Sequence, residues 1–111
     1  MDRSVLPLPV AVIGAGPVGL AAAVHLVKAG ETPLVLERGT QVGASMRKWC
    51  HVRVFSPWQY NIDPAARELL LASGWSAPDD DEYPTGGEIV GQYLEPLAAL
   101  PEIAPHVRGG A

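Results

Sequence analysis

Apolar and polar positions in the first third of the chain follow a strand, turn, helix, strand order. Four apolar residues at 10–13 precede three glycines, and an alanine-rich segment follows them. Gly30 interrupts that segment, and a second short apolar run at residues 34–36 leads directly into an acid, Glu37. Short apolar runs next to glycine predict buried strands, and the alanine-rich segment predicts a helix over residues 17–29. The pattern therefore predicts a β-α-β unit.

The second half of the chain carries two further helix signals. Asp63 before Pro64 is typical of a helix N-terminus, and that helix should run to Gly74. Thr85 and Glu88 have the spacing of a capping box. Apolar residues at three-four spacing after it predict one amphipathic helix that Pro96 should kink or end, with this buried face: Ile89, Val90, Tyr93, Leu94, Leu97 and Leu100.

Two weaker strands are expected outside the β-α-β unit. Val52 and Val54 alternate with polar residues and precede Pro57, which predicts a short strand. Residues 106–108 indicate the start of another strand near the end of the chain. The acidic segment 79–82 between them is best interpreted as a solvated turn, since its spacing does not fit a metal site.

The three glycines of the turn have different physical tasks. Gly14 would let the chain leave the first strand sharply, and Gly16 would let a pyrophosphate approach the backbone. Gly19 would let the helix lie close to the sheet. The free N–H groups and the positive dipole end of the helix would then face the phosphates.

Glu37 completes a dinucleotide-binding pattern. It lies eighteen residues beyond Gly19, at the end of the second strand. A carboxylate at that place can accept hydrogen bonds from ribose hydroxyls. The alternative is a glycine-rich turn without a ligand, and the acid in register disfavours it.

Composition narrows the function classes. The chain has 111 residues, 48% of them hydrophobic, so it forms at most one domain with a real core. A formal net charge of −4 argues against nucleic acid as a general partner. The single cysteine, Cys50, excludes an intramolecular disulfide, and we expect its thiol to be buried as a small hydrophobe.

The N-terminal 23 residues also invite comparison with a secretory signal peptide, because they are apolar and contain Arg3. Asp2 and three prolines in the apolar stretch argue against that interpretation, and against a membrane span. We therefore expect a cytoplasmic protein that does not bind membranes.

Length raises a further point about the fold. A doubly wound nucleotide fold usually needs about 150 residues and four or five parallel strands, with both sheet faces covered. We therefore expect a partial, truncated α/β Rossmann-like domain with a doubly wound parallel sheet. Residues 1–9 would be a lead-in, residues 10–108 the N-terminal part of a dinucleotide-binding domain, and residues 109–111 a tail.

Three segments resemble the FAD-dependent oxidoreductases of the flavin monooxygenase and pyridine-nucleotide reductase type. The first is GAGPVG with its spacing to Glu37, and the second is the Glu37-Arg38 pair followed by a glycine-containing loop. The third is YPTGGEIVGQYL at residues 83–94. The loop departs from the glycine-glycine-x-tryptophan pattern of flavin monooxygenases, because Trp49 stands further on. The resemblance covers about residues 8–105.

The resemblance implies a flavoprotein whose FAD pyrophosphate lies on the glycine turn. It assigns cofactor binding to Gly14, Ala15, Gly16, Pro17, Gly19, Glu37, Arg38 and Arg47. In it Glu37 takes the adenosine ribose, Arg38 the adenine and Arg47 a phosphate. NAD or NADP would serve as co-substrate, and the late strand and NAD(P)H domain of the family are missing here. Solvated loop charges are the alternative for both arginines.

Other candidates carry no mechanism at this point. Trp49, Trp58 and Tyr60 would line a flavin or substrate, or simply belong to the core. His51 and His106 have no nucleophile or acid beside them in the sequence, so catalytic residues and the small-molecule substrate stay unidentified.

Three functional hypotheses follow. The chain is the FAD-binding portion of an oxidoreductase, a nucleotide-binding half-module that needs a complementary subunit, or part of an NAD-dependent dehydrogenase. The Glu37-Arg38 pair and the segment at residues 83–94 favour FAD.

Overall fold

A three-stranded parallel sheet forms the framework of the protein. The computed structural model describes residues 8–110, so the expected lead-in up to residue 7 and residue 111 lie outside the described residues. The strands are β1 (Val10–Ile13), β2 (Pro33–Glu37) and β3 (Val107–Gly109), in the order β1-β2-β3. Both pairings are parallel. The three strands, including the one expected at residues 106–108, are confirmed.

Helix α1 (Pro17–Lys28) connects β1 to β2, as the pattern predicts. It starts at a proline, whose missing N–H costs nothing in the first turn. It ends where Gly30 adopts a φ of 81° and donates its N–H to the Val27 carbonyl at 3.0 Å. A residue with a side chain would be strained at that φ, so Gly30 is what stops the helix.

Four further helices follow β2. They are α2 (Ala44–Arg47), α3 (Pro64–Ala72), α4 (Gly86–Ile89) and α5 (Glu95–Ala98), with 3₁₀ turns at Trp58–Tyr60 and Ala104–His106. Both predicted N-caps are confirmed: Asp63 accepts the Ala66 N–H at 3.0 Å, and Thr85 and Glu88 cap each other's amides. No helix within residues 8–110 is long and apolar enough to cross a membrane.

The predicted amphipathic helix contains a π turn. Between α4 and α5, the segment Val90–Leu94 widens so that the Glu95 N–H donates to the Val90 carbonyl, five residues earlier. Pro96 has no N–H to donate to the Gln92 carbonyl. The indole N–H of Trp75 donates to that carbonyl instead, at 2.8 Å. The helix therefore passes Pro96 by two residues instead of ending there.

A single core lies on one side of the sheet. The expected face of the amphipathic helix is buried throughout, with Tyr93 only 1% exposed. It belongs to one buried cluster with residues of α1, β2 and α3, among them these: Leu20, Ala23, Val24, Val35, Ala66 and Leu70. Gly19, also on α1, faces Val12 of β1, so α1 covers this side of β1 as well.

Among the described residues, nothing packs over the opposite side of the sheet. Ala11 and Ile13 are exposed there, Ile13 by 80%, and Leu34 and Leu36 beside them are only partly covered. Among the described strands β1 is also an edge, because only β2 pairs with it. Parallel sheets normally have both faces covered. The fold is therefore a partial Rossmann-like α/β domain, with helices on one face of the described sheet.

The short strand expected around Val52 and Val54 is not formed. Only an isolated antiparallel bridge joins Arg53 to Thr85. Pro84 precedes Thr85 and has no N–H, and Gly86 already begins α4, so the ladder cannot extend in either direction.

Candidate functional site

The glycine turn joins the end of β1 to α1 and is shaped by backbone contacts. Gly14 has a φ of 95° and donates its N–H to the Leu36 carbonyl of β2 at 2.7 Å. A Cβ placed on Gly19 would lie 1.9 Å from the Gly14 carbonyl oxygen. Only glycine at position 19 lets α1 approach the turn this closely.

The start of α1 is open to an anion. No side chain caps the helix at Gly16, and no acid lies in its first turn. A Cβ placed on Gly16 would meet nothing within 4 Å. Uncapped N–H groups and the positive end of the helix dipole favour negative charge at such a place. The turn can therefore receive a phosphate group against its backbone.

Glu37 lies next to the turn, at the end of β2. Its Oε1 accepts the Ala15 N–H at 2.8 Å, and its Oε2 accepts the Gly39 N–H at 2.6 Å. A carboxylate offers about four acceptor positions, so each oxygen keeps capacity for a ribose hydroxyl. The contact with Gly39 was not foreseen from the sequence, although a glycine two residues after the acid is the signal for it.

The structure separates the two arginines. Arg38 follows Glu37 and is exposed. The Arg47 guanidinium donates from Nη2 to Glu95 Oε2 at 2.7 Å and from Nε to the Val42 carbonyl at 3.0 Å. In this arrangement, Arg47 is engaged by the protein itself.

The aromatic candidates fall into different environments. Trp58 is buried at 3% exposure, and Trp49 is half-buried with its ring against Gly86, where a Cβ would lie 2.6 Å from the ring. Tyr60 is 75% exposed. The two tryptophans therefore pack in or against the core, and Tyr60 lies on the surface. The requirement for glycine at position 86, opposite the Trp49 ring, is not evident from the sequence.

Cys50 is exposed, so the expectation of a buried thiol is wrong. The residue lies in the turn after α2, whose backbone is held by a hydrogen bond from the Gly87 N–H to the Cys50 carbonyl at 2.9 Å. This places the residue at the wall of a cleft of about 250 Å³, which also includes Arg47, Gly87, Val90, Gly91 and Glu95. The glycine turn lines neither this cleft nor a smaller polar one beside Arg53.

Two titrating groups are coupled at the start of α3. Burial acts to raise the pKa of Asp63, but hydrogen bonds from His25 at 3.0 Å and from the Ala66 amide outweigh it, and the pKa lies below its ordinary value. Burial raises the pKa of Tyr93, whose hydroxyl accepts the Asp63 N–H at 3.2 Å. His51 is exposed and His106 half-buried. Among residues 8–110, no three metal-ligating side chains converge.

Comparison with known proteins supports the fold. Residues 11–104 match the family model described as pyridine nucleotide-disulphide oxidoreductase. Two curated relatives from Arabidopsis thaliana are flavin-containing monooxygenase FMO GS-OX-like 2, 44% identical over 55 residues, and the putative FMO GS-OX-like 10, 44% identical over 68 residues. These matches cover 50% and 61% of this chain, but only 11% and 14% of the relatives.

Solved structures share this fold. A steroid monooxygenase bound to NADP superposes with a TM-score of 0.67 at 24% identity, over 91% of this chain and 19% of that one. The bacillithiol disulfide reductase of Bacillus cereus superposes with a TM-score of 0.68 at 24% identity, over 92% of this chain and 28% of that one. With its family match over most of the described residues, the chain belongs to the pyridine nucleotide-disulphide oxidoreductase family.

Proposed function

We propose that this chain is the FAD-binding portion of an NAD(P)H-linked flavin-dependent oxidoreductase. One observation carries the proposal: the uncapped N-terminus of α1 and the Glu37 carboxylate lie next to each other, linked by the hydrogen bond from Ala15. The first suits a pyrophosphate and the second a ribose, which are adjoining parts of one dinucleotide. The two flavin-containing monooxygenases named above support a flavin cofactor.

Each residue of the turn has a defined part in binding. Gly14 and Gly19 shape the turn, Gly16 leaves room for the pyrophosphate, and Glu37 accepts the ribose hydroxyls. Pro17 starts α1 with a φ suited to the helix. The Ala15 N–H donates to Glu37 and so holds the carboxylate beside the turn. We propose that Arg38, which is exposed beside Glu37, lies over the adenine, because a planar cation suits that position.

Charge distinguishes between dinucleotides at this site. Glu37 would repel the 2′-phosphate of NADP, so NADP is disfavoured on the glycine turn and fits the role of co-substrate elsewhere. When bound, the flavin supplies the hydride and electron transfer, and the protein binds and orients it.

The uncovered side of the described sheet supports the proposal that this portion acts together with further protein. Ala11 and Ile13 would be covered, and the free edge of β1 would be paired, by further chain or by a complementary subunit. We propose that catalysis and the small-molecule substrate site require that addition. A nucleotide-binding half-module and an NAD-dependent dehydrogenase are the alternative functions.

The experiment is to purify the 111-residue chain and to titrate it separately with FAD, ADP, NAD and NADP. Flavin absorbance bands that stay with the protein on gel filtration, and displacement of FAD by ADP, are the expected result. Thermal stabilisation by NAD together with no binding of FAD would refute the flavin assignment. NADP is expected to bind more weakly than NAD, because of Glu37.

A further inference from the structure

We propose that the ion pair between Arg47 and Glu95 positions the nucleotide turn, with Arg47 acting through the backbone of the loop at residues 42–43 and not by contacting the phosphate. This inference rests on the proposed nucleotide site. It assigns a role in that site to Glu95, which lies on a different element.

The peptide groups of Ala15 are held on both sides. Its N–H donates to Glu37 at 2.8 Å, and its carbonyl accepts the Gly43 N–H at 2.9 Å. Its side chain is fully buried. The middle of the glycine turn therefore takes its position from Glu37 and from Gly43.

Gly43 takes its own position from the π turn. It adopts a φ of 66°, and a Cβ placed on it would lie 2.9 Å from Val90 Cγ2 and 3.2 Å from Leu94 Cδ1. Val90 and Leu94 are buried residues of that turn. The loop thus lies directly on the helical segment that Glu95 continues.

Arg47 connects the same two elements. Its backbone N–H donates to the Gly43 carbonyl at 3.0 Å, its Nε donates to the Val42 carbonyl, and its Nη2 donates to Glu95 at 2.7 Å. One side chain therefore fixes the peptide preceding Gly43 and joins it to the start of α5. Only a guanidinium offers both donors in this geometry.

The exposed fraction of the two side chains indicates whether the ion pair contributes mainly to overall stability or to the local order of the loop. The side chains are 32% and 51% exposed, and ion pairs at such exposure contribute little to overall stability. Loss of the ion pair between Arg47 and Glu95 should therefore leave the fold intact and increase the mobility of the loop at Gly43. Loss of preorganisation then appears as weaker binding of a ligand that neither residue touches.

The test compares Glu95→Ala, Glu95→Gln and Arg47→Met with the unmodified full chain. We expect Glu95→Ala and Arg47→Met to raise the Kd for FAD and ADP by about three- to tenfold, as lost preorganisation of a site does, with an unchanged Tm. Glu95→Gln keeps an oxygen acceptor and should restore most of the affinity. The matched control is Glu68→Ala, which removes the exposed ion pair with Lys28, and it should bind as the unmodified chain does.

Hydrogen exchange of the Gly43 and Ala15 amides, followed by NMR without ligand, gives an independent result. We expect faster exchange at both amides in Glu95→Ala. If Arg47 contacted the phosphate directly, the opposite binding result would follow, because Glu95→Ala would free the guanidinium. Unchanged or tighter binding of FAD and ADP by Glu95→Ala would therefore overturn the proposal. If the unmodified chain bound neither FAD nor ADP, the proposed function would fail, and unchanged exchange in Glu95→Ala would overturn the positioning role separately.

Discussion

Alanine substitutions at two glycines of the turn separate folding from binding. An alanine Cβ at position 19 would lie 1.9 Å from the Gly14 carbonyl oxygen, although such atoms do not approach within 3.0 Å. The helix or the turn must therefore move by about 1 Å, and overpacking against backbone costs about 3 kcal/mol or more. For a chain of this size that lowers the Tm by roughly 12 °C or more.

Gly16→Ala should have the opposite pattern. Gly16 has a φ of −96° and a ψ of −166°, which alanine adopts without strain, and its Cβ would meet no atom within 4 Å. Such a change leaves stability unchanged or raises it by about 0.4–1 kcal/mol through the unfolded state. The added methyl occupies the space proposed for the pyrophosphate, so the Kd for FAD should rise at least about tenfold.

The assays are thermal unfolding by circular dichroism and FAD titration by fluorescence, on the same preparations. Gly91→Ala is the control, because that position is exposed on the π turn and a Cβ there would also meet nothing within 4 Å. It should keep the affinity of the unmodified chain. Full FAD affinity in Gly16→Ala would refute the assignment of the turn to the pyrophosphate, and an unchanged Tm in Gly19→Ala would refute the close approach of α1 described above.

Three further predictions concern polar contacts. Asp63→Ala removes a helix N-cap and should lower the free energy of unfolding by about 1 kcal/mol at pH 7. Because the pKa of Asp63 is lowered in the folded state, this stabilisation is present above the ordinary pKa of 3.8 and is lost as the pH falls below it. Urea unfolding should therefore show a smaller difference between Asp63→Ala and the unmodified chain at pH 3 than at pH 7. An equal difference at both pH values would contradict the role of the charged form and its contact with His25. Trp75→Phe leaves the Gln92 carbonyl without its indole donor and should lower the free energy of unfolding by about 0.5–1.5 kcal/mol, and no change would show that water replaces the donor. Glu37→Gln presents an amide N–H₂ to one of two backbone donors and should cost about 1–2 kcal/mol as well as nucleotide affinity, with retained affinity arguing against the ribose contact.

The elements that sequence reasoning predicted well depend on neighbours in the chain. The cap at Asp63 reaches an amide three residues on, and the capping box of Thr85 has the same reach. The apolar face of the amphipathic helix is also confirmed in full, because apolar residues three to four positions apart lie on one face of a helix, and such a face is normally buried. The strand expected near Val54 is not formed, because the distant segment that lies opposite it contains Pro84, and the pattern around Val54 does not show this.

The exposed thiol and the role of Arg47 were beyond the reach of sequence patterns. Cys50 is a residue type that is often buried, and only the packing of its turn against Gly87 places it at a cleft wall. Arg47 lies 48 residues from Glu95 in the sequence, and no pattern in the segment between them predicts that contact. The contact of Gly43 with Val90 and Leu94 of the π turn likewise joins segments that are distant in the sequence.

By itself, the sequence determined the β-α-β unit, the three glycines of the turn and the acid that follows, because each depends on φ, on hydrogen-bonding capacity or on a short spacing. The tertiary structure alone decided that one face of the sheet is left uncovered by residues 8–110, and that Glu37 accepts a hydrogen bond from the Ala15 amide of the turn. It also decided that Arg47 meets Glu95, because such contacts form only when distant segments pack together, and their geometry is a property of the whole packed chain.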